Sequence, residues 1–383
     1  MFSFLKKRHD EGGTLPPPDL IEIEPTLGCN LRCVMCHVSY MNEKVKSLDL
    51  EALRSLSFVR GCHVIIGSVF EPTIHPKFNQ LMEQLNRNEN KIELITNGTR
   101  ISKLDAPAVY ESDLSIVTFS FDGIRRETYE QIRRNADYDK TLRNILYFRE
   151  RFLGSNTFFA VNSTIMRKNL EETWETVDFW DHHEFDVVRL IFMVVRDSNP
   201  ELIRESLYPI KEAAFAILDS VAERIITEKR RISVRAGWYQ ASPLRSQYPQ
   251  SFNRDLVTSG NQGTRIVPTP RQDHQLGAAY GMTFPCKSPF TYARVLWDGS
   301  VQLCQQFVVG NLLKDSLEDI WYGAAAHKAR QLVRAKMDVC KACDYYRYCI
   351  ESQEVAVTDK AYYVYDKLQP LLDRIDFERG VVM

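Results

Sequence analysis

The 383-residue chain has almost no net charge, no long apolar run and no export signal. Its 49 Lys and Arg stand against 50 Asp and Glu, a formal charge of −1, so no general attraction to nucleic acid or to an anionic membrane is expected. No stretch approaches the ~20 apolar residues that cross a bilayer. The amino terminus, Met1-Phe2-Ser3-Phe4-Leu5-Lys6-Lys7-Arg8, puts its bases after its apolar residues, the wrong order for a secretory signal. Nor do the cysteines look like a disulfide framework. Eight of the nine fall in two clusters, which suits thiolates that meet metal in a reducing, cytoplasmic compartment. What is present is 44% apolar residues, enough for a large core and two domains.

The first cluster lies in Glu24-Pro25-Thr26-Leu27-Gly28-Cys29-Asn30-Leu31-Arg32-Cys33-Val34-Met35-Cys36. Three thiolates in eight residues can wrap three corners of a cubic iron–sulfur cluster and leave one iron open to a small molecule. Zinc would need a fourth ligand, and His37 is too close to Cys36 in sequence to complete a relaxed tetrahedron. A disulfide would leave one of the three unpaired. The loop is read as a cluster site.

Strand and helix patterns alternate along the first half. Apolar, β-branched runs at 20–24, 63–66, 92–96, 115–121, 158–165 and 187–194 are separated by helical patterns such as 50–58, 78–86, 125–134, 141–152 and 170–183. Six such β/α units, with strands buried on both faces, predict an α/β fold with a helix-covered parallel sheet. The three cysteines follow the first strand, the end where loops of a βα barrel gather chemistry.

The Cys-x3-Cys-x2-Cys loop after an early strand resembles that of the radical S-adenosylmethionine (SAM) enzymes. The resemblance extends through the first half of the chain. It implies a partial (β/α)6 TIM-type barrel and an open iron that chelates the methionine end of SAM. It further implies reductive cleavage to a 5′-deoxyadenosyl radical and hydrogen abstraction from a substrate. An external one-electron reductant of flavodoxin or ferredoxin type goes with that chemistry. Where the family usually has an aromatic residue, this chain has Met35, whose thioether can cover a cluster in its place.

The same resemblance assigns the strand-end motifs. Gly67-Ser68-Val69-Phe70-Glu71-Pro72 stands where the family reads Gly-Gly-Glu-Pro, which implies a loop and carboxylate facing the methionine ammonium. Val69 and Phe70 replace small residues there, so a modified backbone is expected. Thr96-Asn97-Gly98 looks like the family turn lining the cofactor pocket. Ser120-Phe121-Asp122-Gly123 resembles its Ser-x-Asp-Gly ending, with Ser120 at the ribose or carboxylate and Asp122 shaping the turn. Arg133 or Arg134 would meet the methionine carboxylate, and Asn162 or Ser163 would add contacts from the fifth strand.

The second cluster is Cys286, Cys304, Cys340, Cys343 and Cys349. Between the first two, residues 295–303 alternate around Asp298-Gly299, a hairpin signal, and a helical stretch follows at 317–334. Four cysteines could bind zinc; beside an iron–sulfur loop, iron is favoured. The region resembles the auxiliary-cluster extensions called SPASM and twitch. A full SPASM pattern would put a cysteine at 353, where Gln353 stands. The shorter twitch pattern is matched by Cys286, Cys304, Cys340 and Cys343, which implies one auxiliary 4Fe–4S cluster beside the SAM-binding one. Cys349 is then an alternative ligand, a packed thiol or a hydrogen donor to substrate. Cys62, at the start of the second strand, reads as core.

The expected organisation is an N-terminal tail (1–18), the barrel (19–200), a helix and irregular linker or lid (201–280), the auxiliary hairpin-plus-helix domain (281–350) and a helical C-terminal tail (351–383). In the linker, Arg235, Tyr239, Arg271 and His274 are candidate substrate contacts. The first strand begins near residue 20, which leaves no room for the leader-binding domain common in peptide-modifying relatives. Oxidation of a polar small molecule (a sugar, cyclitol or amino-acid derivative) is therefore expected ahead of peptide crosslinking, thioether formation or epimerisation.

Overall fold

The computed structural model describes residues 9–10, 13–103, 114–193, 200–236, 288–304, 307–334, 375–376 and 381–382. Its centre is a parallel sheet of β1 (Leu20–Ile23), β2 (His63–Ile66), β3 (Lys91–Thr96), β4 (Leu114–Ser120), β5 (Phe158–Ile165), β6 (Val187–Phe192) and β7 (Ser233–Ala236). These pair in sequence order, with Ile23 opposite Ile66 and Ile66 opposite Leu94. The seventh strand, which falls on the strand pattern that residues 231–235 show within the anticipated linker, extends the sheet beyond six.

Each parallel step needs a crossover. The described helices that serve it are α1 (Phe78–Asn86), α2 (Arg126–Ile132), α3 (Tyr138–Glu150), α4 (Thr173–His182) and α5 (Lys211–Thr227). Because a strand turns successive side chains to opposite faces, the sheet has an outer face of Ile21, Val64, Leu94, Phe119, Val161 and Leu190. These pack with Leu81 and Met82 of α1, Phe148 of α3 and Trp180 of α4 in one core. Phe119 alone meets the rings of Phe148, Phe159 and Phe185 at centroid distances of 6.1, 6.5 and 6.3 Å.

The inner face corrects the expectation of strands apolar on both sides. It carries His63, Glu93, Thr118, Asn162 and Arg189, joined by polar contacts, and Glu22, which pairs with Arg294. A small apolar cluster of Ile116, Phe158, Ala160 and Val187 closes this face only at the amino-terminal ends of β4, β5 and β6.

The hairpin expected near residue 299 is present as β8 (Tyr292–Val295) and β9 (Ser300–Cys304), followed by β10 (Phe307–Asn311). Gly299 sits in the turn at φ +81°, a region open to glycine. The hairpin is continuous with the main sheet: β8 runs parallel to β1, with Tyr292 opposite Leu20 and Val295 opposite Ile23. The helix expected at 317–334 is two, α6 (Leu317–Tyr322) and α7 (Ala324–Arg334), broken at Gly323. A Cβ there would meet the Asp319 carbonyl at 2.6 Å. Trp321 and Tyr322 donate to the carbonyls of Pro16 and Leu15, fastening α6 to the chain entering β1.

Three further local expectations change. Residues 50–58 form a 3-10 rather than an α-helix. The helix expected at 125–134 ends at Ile132, and Arg133–Arg134 becomes a two-residue strand against Arg32–Cys33. In the tail expected to be helical, the described residues Ile375–Asp376 and Val381–Val382 are paired strands.

Candidate metal and cofactor site

The cysteine loop leaves the carboxyl end of β1 and is tied at its base, where Thr26 and Leu27 pair with Ser47 and Lys46. Gly28 has φ +124°, and a Cβ on it would press Val45 Cγ2 at 3.0 Å. The pairing of Cys33 with Arg133 holds the middle of the loop. Ser39 Oγ and Tyr40 Oη donate to the carbonyls of Cys33 and Val34 at 2.7 and 2.8 Å. Cys33 is buried; Cys29 and Cys36 are half-buried. Burial raises all three thiols, Cys33 to about 12, and each lies within electrostatic reach of another. Metal binding would displace their protons. Among the described residues no three Cys, His, Asp or Glu side chains converge on a single metal ion.

Beside this loop, Asp122 and Arg133 form a buried ion pair at 2.7 Å. Burial pushes the Asp122 carboxyl up, while Arg133 and the Thr164 amide, 2.6 Å away, pull it down. The net direction for the Asp122 carboxyl is up, and the guanidinium, which stays charged, is its counter-charge. Arg133 Nη1 also lies 3.9 Å from Cys33 Sγ. The arginine expected to meet a cofactor carboxylate is thus engaged inside the protein, because the buried Asp122 requires a counter-charge. Arg134 is on the surface, paired with Glu201.

Glu71 follows β2 and is likewise turned inward. Its carboxylate accepts from the Thr73 amide at 3.1 Å, the Thr73 hydroxyl, Thr96 Oγ1 at 2.7 Å and the Asn97 amide at 2.7 Å. Burial raises its carboxyl, and these donors oppose the rise. The carboxylate expected to face the methionine ammonium thus accepts from four protein donors. Asn97 carries the network on: its Nδ2 lies 3.0 Å from Asn30 Oδ1 and 3.6 Å from Cys29 Sγ. Around Glu71 the modified backbone is confined to Gly67, at φ +76°, where a Cβ would overlap Pro72 at 2.4 Å. Val69 and Phe70 keep negative φ.

Ser120 lies half-buried at the end of β4, and Asn162 is on the inner face with Oδ1 3.4 Å from Arg189 Nη1. Ser163, one residue on, is fully buried on the outer face, so the strand's period removes it from the site. Cys62 is buried, with Sγ donating to Asn90 Oδ1 at 3.3 Å. Of the second cysteine set, Cys304 ends β9 and is half-buried. Cys286, Cys340, Cys343 and Cys349 lie outside the described residues, as do Tyr239, Arg271 and His274. Only the backbone of Arg235 is described, in β7 opposite Arg189.

One group escaped the sequence reading. Glu24, fully buried after β1, accepts from the amides of Ser68, Val69 and Phe70 at 3.2, 2.8 and 3.2 Å. Arg294 of β8 donates to it at 2.9 Å and reaches Glu22 at 3.1 Å. The available signal was acid at alternate positions, Glu22 and Glu24, in an otherwise apolar strand.

A model of the radical SAM superfamily matches residues 23–179, and a model described as an iron–sulfur cluster-binding domain, SPASM, matches residues 286–344. The chain belongs to the radical SAM superfamily and carries a SPASM-type auxiliary domain. With that family come SAM, a 4Fe–4S cluster and auxiliary iron–sulfur. The loop fits such a group: three clustered thiols, none in a disulfide, stand beside a buried guanidinium that suits an anionic cluster. Among relatives, Fe-coproporphyrin III synthase of Methanosarcina barkeri is 23% identical over 347 residues, covering 85% of this chain and 80% of its own. The subtilosin biosynthesis protein AlbA of Bacillus subtilis is 25% identical over 172 residues, 43% of this chain and 36% of its own. The fold is shared with SuiB of Streptococcus suis, solved bound to SAM, with a TM-score of 0.55 at 16% identity, over 89% of this chain and 73% of that one.

Proposed function

We propose that this enzyme cleaves SAM reductively and takes hydrogen from a polar small molecule over the inner face of the sheet, leaving that substrate oxidised. The observation that carries this reading is the polarity of that face, where His63, Glu93, Asn162 and Arg189 place polar groups suited to hydroxyl, amino or carboxylate groups. When bound, the cluster and SAM supply one-electron cleavage of the sulfonium and hydrogen abstraction from unactivated carbon. Cys29, Cys33 and Cys36 would hold the cluster, with Arg133 balancing its charge. Glu71, Thr96 and Asn97 fix the loops on either side of it, and Ser120 and Asn162 border the space above. Asp122 keeps Arg133 in place. Cys286, Cys304, Cys340 and Cys343 would hold one auxiliary cluster, which would supply a one-electron acceptor, with Cys349 as an alternative ligand. A flavodoxin- or ferredoxin-like protein would deliver the first electron.

A relative aligned over most of both chains is named for a small molecule, Fe-coproporphyrin III, which supports this reading. Peptide modification is the second reading, favoured by the likeness over 172 residues to AlbA, a bacteriocin biosynthesis protein. The test is anaerobic incubation of reduced, cluster-loaded enzyme with SAM and deuterated cyclitols, amino sugars and amino acids. Deuterium entering 5′-deoxyadenosine from one of these supports the proposal. Label taken up only from a peptide encoded beside the gene would replace it.

A further inference from the structure

Three consecutive amides, those of Ser68, Val69 and Phe70, converge on a single carboxylate, Glu24, which is fully buried. A buried carboxylate is tolerated only when paired and hydrogen-bonded, and here the charge partner comes from far along the chain. Arg294 Nη2 lies 2.9 Å from Glu24 Oε1, and its Nε lies 3.1 Å from Glu22 Oε1. Tyr292 Oη donates to the other oxygen of Glu22 at 2.9 Å. The backbone follows the same course, since the Glu24 amide donates to the Val295 carbonyl at 2.8 Å.

The loop is thus tied from below by Glu24. On its far side, Thr26 Oγ1 donates to the Glu71 carbonyl at 3.0 Å and the Glu71 amide to the Gly28 carbonyl at 3.1 Å. With its amides committed to Glu24, the 68–70 segment can present only carbonyl oxygens from its backbone, and acceptors are what an ammonium group requires. We propose that Glu24 is a positioning residue that shapes the 68–70 loop to receive the ammonium end of SAM, and that Arg294, reaching in from the C-terminal hairpin, holds Glu24 in that role. The inference rests on the reading of this loop as part of the cofactor site. It makes the hairpin that ends at Cys304 a structural partner of the cofactor loop.

The test uses the full, cluster-loaded protein, with equilibrium binding of SAM, iron content and hydrogen exchange at residues 68–70 as readouts. Arg294→Met should weaken SAM binding by about tenfold or more and speed exchange at those three amides, with iron unchanged. Arg294→Lys should recover most of the affinity, since it restores the charge. Glu22→Gln should keep affinity near wild type, because it leaves Arg294 to Glu24 alone; a general loosening of the hairpin would weaken Glu22→Gln and Arg294→Met alike. If Arg294→Met is iron-replete and binds SAM as wild type does, or if Glu22→Gln loses as much affinity as Arg294→Met, the proposal is overturned. Wild type that binds no SAM would instead remove the reading on which it rests.

Discussion

On the outer face of the central sheet, Ile21, Val64, Leu94 and Phe119 belong to the apolar core, and each is fully buried. On the inner face, one residue along the same strands, Glu22, His63, Glu93 and Thr118 are held by ion pairs and hydrogen bonds. The outer face stabilises in proportion to the area removed from water, with little demand on direction. On the inner face desolvation offsets much of the Coulomb gain, so its pairs set positions more than they add stability. Stability and chemistry therefore separate by side chain parity, and substitutions on the two faces should be felt in different measurements.

The largest expected effect belongs to the loop at the end of this sheet. Replacing Cys29, Cys33 and Cys36 together by Ala should abolish 5′-deoxyadenosine formation and remove the iron held there, while cluster-free protein unfolds much as wild type does. Iron analysis with an anaerobic cleavage assay reads the first, urea unfolding the second. On the outer face, Phe119→Ala should lose about 3–5 kcal/mol in urea unfolding, with SAM affinity retained by the molecules that remain folded. Glu71→Gln is intermediate: a neutral amide in place of a carboxylate with four donors should cost about 1.5–3 kcal/mol of stability. If its SAM affinity fell with no loss of stability, the carboxylate would be acting on the ligand and the comparison would fail at that residue.

The smallest effect is a pH dependence at Glu93. Burial alone would raise its carboxyl, but His63, Arg189 and Thr118 outweigh burial and hold it below the ordinary 4.5. A depressed carboxyl contributes stability that is complete above its unfolded value and is lost as pH falls through the folded one. The urea midpoint of wild type should therefore decline more steeply below pH 4.5 than that of Glu93→Gln. Parallel curves would show that the inner-face pairs contribute no net stability.

Much of the outer face was legible because its signal is local. Residues 63–66 and 158–165 are strands with the expected ends. The 50–58 segment misled because Leu50, Leu53 and Leu56 recur every three residues, a spacing that a 3-10 turn eclipses on one side and a helix reading accepts. The inner face was harder, since its logic is tertiary. Nothing local to Arg133 says that the chain leaves its helix there to bring a charge to Asp122, 11 residues upstream at the other end of α2. Glu24 and Arg294 meet across 270 residues, so neither predicts the other. The cysteine loop was legible for the opposite reason: its ligands lie within eight positions, and spacing alone carries the chemistry.

The parallel pairing of β8 with β1 also sets an order of events during synthesis. Until residues 292–295 leave the ribosome, β1 has β2 on one side and a bare edge on the other. At ~5–20 residues per second, roughly 14–54 s of translation separates the two strands. A bare parallel edge invites pairing with another nascent chain, and inward-pointing charges are a known guard against it. Glu22 and Glu24 are such charges, so the acids that later await Arg294 would first keep the unfinished sheet from recruiting a stranger.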